Sequence, residues 1–104
     1  MKIQYLVEVL LPVFDNKGVR FKESDFKTVS ATLTRKFGGA TSFLRAPADG
    51  TWVNNRGVTH DEVIVIETMV DTLEEEWWKS FRLKLEKKFR QRAIVVRSQM
   101  IIGL

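Results

Sequence analysis

Apolar and polar residues alternate with a period of two from Ile3 to Val13. Ile3, Tyr5, Val7, Val9 and Leu11 share one side, and Gln4, Leu6, Glu8 and Leu10 share the other, as successive residues of a strand do. Pro12 and the run Phe14 to Gly18 end this strand in a turn. The period then becomes helical, with Phe26, Val29, Leu33 and Phe37 on one stripe. Ser24 is the expected N-cap of that helix, with Asp25 in its first turn. Gly38 and Gly39 stop it, one of them in the left-handed C′ position. Two strand-like runs follow, Thr41 to Ala46 and Val63 to Val70. Between them, Pro47, Asp49 and Gly50 interrupt the first run, Thr51 to Val53 extend it beyond a bulge, and Asn54 to Gly57 read as a hairpin turn. Val63 to Val70 alternates little, which marks a central, buried strand. A second helical stripe joins Leu73, Trp77, Phe81, Leu85 and Phe89, with Trp78 beside it. Its start carries two candidate capping boxes, Asp71 with Glu74 and Thr72 with Glu75. A last strand runs from Ile94 to Ile102.

The order strand, helix, strand, strand, helix, strand is the split βαβ pattern of an α+β, ferredoxin-like βαββαβ sandwich. It predicts a four-stranded antiparallel sheet of order 4-1-3-2 with both helices on one face. The 104 residues fit a single domain, 1–104. Such a fold covers only one face of its sheet. Placing Ile3, Val7, Ile64, Ile66, Ile94 and Val96 under the helices puts Glu8, Glu67, Arg97 and Arg45 on the other face. Leu6, Leu10, Val63, Val65, Val95 and Ile101 go with them. In strand order the charges read Arg97, Glu8, Glu67, Arg45, with the two acids meeting in the middle. Adjacent carboxylates raise one another's pKa unless cations offset them. Apolar surface around paired charge suits a dimer interface enclosing a polar pocket. The plainer reading is a row of cross-strand ion pairs, and a register slip of one residue dissolves the row.

Composition narrows the function classes. With no cysteine, disulfides, thiolate zinc sites and cysteine nucleophiles are excluded. No run approaches the roughly 20 apolar residues of a membrane helix, and Ile3 to Val13 lacks the cleavage site of a secretory signal. The expectation is a soluble cytoplasmic protein that does not contact membrane. The net charge of +4 is a mild basic excess. The bases of the second helix, among them Lys79, Arg82, Lys84 and Lys88, are spread around it, and the strands carry no ribonucleoprotein-type aromatic motif. Nucleic acid is therefore not the expected partner.

The remaining chemistry-bearing residues are sparse. His60 lies beside Asp61 and Glu62, but neighbouring strand residues point to opposite sides and do not converge. Asp15 lies near where a metal-dependent nuclease of this fold would place a ligand, with no second ligand evident. Gly38-Gly39 ends a helix, where the dipole repels anions. Trp77 and Trp78 stand about 100° apart on a helix, so one fills the core and the other flanks it. Trp52 and Trp78 are candidate aromatic walls of a ligand site. No metal site and no cofactor are expected.

Phe37-Gly38-Gly39-Ala40-Thr41, Gly50-Thr51-Trp52, the Glu74–Trp78 helix start and Ile94-Val95-Val96-Arg97 carry a likeness across most of the chain. The sequence resembles small bacterial proteins of ferredoxin-like fold with an FGG-x-T turn, a G-x-W hairpin, a paired-tryptophan helix and an I-V-V-R strand. That resemblance implies the fold and no established activity, so it assigns no catalytic residue. At fold level the chain is similar to dimeric α+β barrel proteins. The leading expectation is a homodimer that binds a small ligand on its open sheet face, with Glu8, Arg45, Glu67, Arg97, Trp52 and Trp78 as candidate ligand-binding residues. The alternatives are a barrel-type enzyme acting on a small organic substrate and a nucleic-acid-associated protein.

Overall fold

The computed structural model describes residues 1–45 and 62–104, together with the backbone of 52–54 and 57–59. Among these, β1 (Lys2–Pro12), α1 (Glu23–Phe37), β2 (Thr41–Arg45), β3 (Trp52–Asn54), β4 (Gly57–Thr59), β5 (Val63–Val70), α2 (Glu75–Lys88) and β6 (Val95–Gly103) follow in chain order. β2, β5, β1 and β6 form a four-stranded sheet in that spatial order, antiparallel at every junction. This is the expected ferredoxin-like α+β sandwich. β3 and β4 pair with each other as a separate two-stranded sheet, with Trp52 opposite Thr59 and Asn54 opposite Gly57. The two flanking strands thus pair as a hairpin requires, while residues 55–56 between them lie outside the described residues. Trp52 and Val53, however, do not prolong β2 in the main sheet.

The two helical stripes and one face of the sheet close into a single apolar core. Phe26, Val29 and Leu33 of α1 and Trp78, Phe81 and Leu85 of α2 are buried against Val7, Val9, Leu11 and Ile66. Each residue lies where its strand or helix period puts it. At one end of the core Phe21 meets Phe89 edge-on at 4.9 Å. At the other, Phe37 stacks on Trp78 at 5.2 Å. Trp77, perpendicular to Trp78, flanks the core, and the Lys36 ammonium lies 4.8 Å above its ring. Trp78 is therefore the core tryptophan, and Trp77, on the expected stripe, is the one at its margin.

Ile3 departs from its expected place. It is 55% exposed, because β1 and β6 continue pairing as far as Lys2 and Gly103, whereas β5 reaches β1 only at Tyr5. Ile3 and Ile102 therefore lie on a two-stranded extension and remain exposed, as does Met100 at its base opposite Tyr5.

Both helix starts also differ from expectation. α1 begins one residue before Ser24, with Lys22 as N-cap, and α2 begins after Glu74, in neither case with a side-chain capping bond. Ser24 lies inside the first turn, where its carbonyl accepts a bond from Thr28 Oγ1. The helix ends follow the sequence more closely. Gly38 adopts φ 89°, and its N–H donates to the Thr34 carbonyl. The buried Thr68 hydroxyl then donates to the Gly39 carbonyl, tying the α1–β2 turn to β5.

Candidate functional site

Register decides which charges meet on the sheet face opposite the helices. Glu8 lies between Glu67 of β5 and Arg97 of β6. The Arg97 Nε donates to Glu8 Oε1 at 3.2 Å. Three of the four expected charges thus share one row. The fourth place belongs to Thr41, which is opposite Glu67, while Arg45 is opposite Val63. Thr41 and Arg45 are on the same face, but four residues of strand separate them, about 13 Å at 3.3 Å per residue. The misplacement arises because β2 starts at Thr41, directly after Gly39 and Ala40 lead the chain out of α1, so its first residue, not its last, reaches the middle of β5.

The surroundings of this row are graded. The Glu8 side chain is largely covered, Glu67 and Leu10 are half-buried, and Val65, flanked by Leu10 and Phe43, is fully buried. Apolar side chains at the margin remain open, with Val95 51% and Met69 56% exposed. Among the described residues no hydrogen bond or ion pair engages the Glu67 carboxylate, so only Glu8 of the two acids has a neutralising cation. The row is therefore a half-buried acidic centre of net charge −1, set in an apolar surround.

Trp78 is on the other side of the sheet, 6% exposed, and does not join the acids. It helps wall a cavity of about 290 Å³ between α2 and the edge of the sheet. Val7 and Val96 form the floor, Lys79 and Arg82 rise from α2, and Arg97 lies at the rim. The indole Nε1 of Trp78 is buried and finds no acceptor among the described residues. Arg97 is thus the one candidate residue common to the cavity and the acidic row. Sequence reasoning did not pick out Lys79 and Arg82 because it treated the bases of α2 as one dispersed set. The helical spacing of 75, 78, 79 and 82 is the signal that groups them.

Other candidates resolve into structural roles or fall elsewhere. His60 and Asp61 lie outside the described residues, as does the side chain of Trp52. Asp15 closes the turn after β1, its Oδ1 accepting from Lys17 N–H at 2.8 Å and Val19 N–H at 2.9 Å. Among the described residues no group of acids or histidines is arranged to hold a metal ion, and no helix is long and apolar enough to cross a membrane.

No protein-family model matches this sequence, and no curated protein matches it. Solved structures do share the fold. A phage SAM lyase in complex with S-methyl-5′-thioadenosine superposes with a TM-score of 0.63 at 11% identity, covering 92% of this chain and 80% of that one. A phage SAM lyase in the apo state gives a TM-score of 0.53 at 16% identity, covering 95% and 80%. At these identities the likeness shows the fold alone.

Proposed function

We propose that this chain is a self-associating domain that binds a small organic molecule carrying a positive centre, held against Glu8 and Glu67 and enclosed by a second copy. One observation carries the reading: two carboxylates side by side on neighbouring strands, only one of them paired to a cation among the described residues, within an apolar surround. Two carboxylates side by side in a half-buried setting repel each other. A cationic ligand between them removes that conflict. Burial under a second copy strengthens the attraction, because the effective dielectric falls. The half-exposed Val95, Met69 and Phe43 supply the surface such a contact covers.

A catalytic reading has one specific support, the fold shared with a lyase solved with S-methyl-5′-thioadenosine. In that case Glu67, the acid without a cation among the described residues, is the group available to accept a proton, and Glu8 is engaged by Arg97.

Light scattering after size exclusion tests self-association. The wild-type mass should exceed that of one chain, and Val95→Arg or Met69→Glu, both at exposed positions, should return it to a monomer. A monomeric wild type overturns the enclosed site. Calorimetric titration with SAM and with S-methyl-5′-thioadenosine then tests the ligand. Binding of SAM that is lost in Glu67→Gln, with the mass unchanged, supports the cationic ligand. Turnover of SAM by the wild type and not by Glu67→Gln selects the enzyme.

A further inference from the structure

We infer that the cavity between α2 and β6 is a second binding site, for a small organic anion with a flat apolar body. It lies on the helix side of the sheet, opposite the acidic row, so it stands or falls apart from the function proposed above. Its volume, about 290 Å³, lies just below the roughly 300–1,000 Å³ range of small-molecule sites, which restricts it to a small ligand. The walls divide by chemistry. Val7, Val96, Leu73 and the indole of Trp78 form an apolar slot, which suits an aromatic or branched aliphatic body. Lys79 and Arg82 stand on one side of it, one turn apart on α2. Their partners in the protein are loose: Lys79 lies 3.8 Å from Glu76 and Arg82 4.0 Å from Glu86. The Lys79 pair is solvated on both sides and holds little of that cation's capacity, while Arg82, itself well exposed, stands at the outer limit of ion-pair distance from a largely covered Glu86. Glu75 is the single acid of the lining against Lys79, Arg82 and Arg97, and Arg97 is engaged by Glu8. Within the lining itself cations outnumber the acid, and Lys79 and Arg82, whose ion pairs are long, are the groups an anion can engage.

A second observation concerns the slot itself. Trp78 is 94% buried in the wall, and its Nε1–H has no acceptor among the described residues. A buried donor without a partner is a standing cost that an acceptor atom removes. That indole N–H lies behind the slot surface, so the second oxygen of a carboxylate seated on Arg82 and Lys79 reaches it only once the indole turns. Arg82 gives planar recognition of the carboxylate and Lys79 a mobile point charge.

The test uses benzoate as probe, with benzamide as its neutral counterpart, and follows the indole N–H resonances of the ¹⁵N-labelled full chain. Trp78→Phe identifies the Trp78 signal by its disappearance. Benzoate at millimolar concentration should shift that signal saturably, and benzamide should not. Arg82→Ala and Lys79→Ala, both at exposed positions, should each weaken benzoate binding by about tenfold, whereas Lys84→Ala, outside this cavity, should leave it unchanged. Absence of a saturable shift, equal binding of benzamide, or unaltered binding in Arg82→Ala and Lys79→Ala each overturns the proposal.

Discussion

Gly38 holds φ 89° at the end of α1, with open space where a Cβ would stand. Any penalty for adding a side chain there is therefore backbone strain and not a clash. Gly38→Ala should cost about 1 kcal/mol, read as a lower urea midpoint with an unchanged slope. Gly38→Asn should recover part of it, because asparagine tolerates the left-handed region. This position was legible in the sequence because only glycine combines a helix stop with a positive φ at low cost. The helix starts were not. Ser24 is a good cap by residue type, yet the chain enters α1 at Lys22 in an extended conformation, two residues earlier in the turn. The reason is tertiary: the Phe21 N–H donates to the Val13 carbonyl, and the Phe21 ring packs on Phe26 and Phe89. Anchored there, the chain begins its helix before serine can reach its capping place. Propensity yields to packing at such a boundary.

At the scale of elements, the apolar period was sufficient to place both helices on the sheet, and it names the residues on which the packing depends. Leu33 is fully buried between α1 and the sheet. Leu33→Ala should cost about 2–5 kcal/mol, the spread reflecting how far the cavity collapses, measured by denaturant unfolding. Leu83, on the exposed side of α2, should tolerate alanine with a change within about 0.5 kcal/mol. The period also placed Glu8, Glu67 and Arg97 on the far face, because a strand's two sides follow from parity alone. It placed Arg45 on that face as well, but not at its position along the strand. Parity says which face a residue occupies and nothing about how far along the neighbouring strand it pairs. That register depends on where the α1–β2 turn releases the chain, and the turn is fixed by Gly38 and by the bond from Thr68 to Gly39. The cavity walled by Trp78, Lys79 and Arg82 was harder still to see, since it joins a helix and an edge strand distant in sequence. Its existence depends on how high α2 rides over β6, a property of side-chain volumes in contact.

At the scale of the whole molecule, two acids tie segments that are remote in sequence, and this gives the fold an acid limit. The Asp15 carboxyl is held below the usual carboxylate range, first by the Val19 N–H and also by the Lys17 N–H and the Arg90 guanidinium 3.6 Å away. Arg90 belongs to the segment after α2, and the same turn is joined to it by Asn16, whose amide donates to the Arg90 carbonyl. Asp71, at the end of β5, is lowered by its bond with Lys2 and by that with Gln4, so it ties the start of β1 to the β5–α2 junction. A carboxyl whose folded pKa is depressed binds its proton more readily in the unfolded chain. Its stabilisation is then present above the unfolded value of about 3.9 and is lost as the pH falls through the folded value. Stability should therefore hold steady near neutrality and decline below about pH 4. Asp15→Asn and Asp71→Asn should each lower the urea midpoint at pH 7, and their deficit against wild type should narrow as the pH falls, since the wild-type carboxyls are then protonated too. Urea midpoints measured from neutrality down to the acid limit decide the point. A deficit that stays constant across that range would show that these side chains act through shape and hydrogen bonding and not through charge.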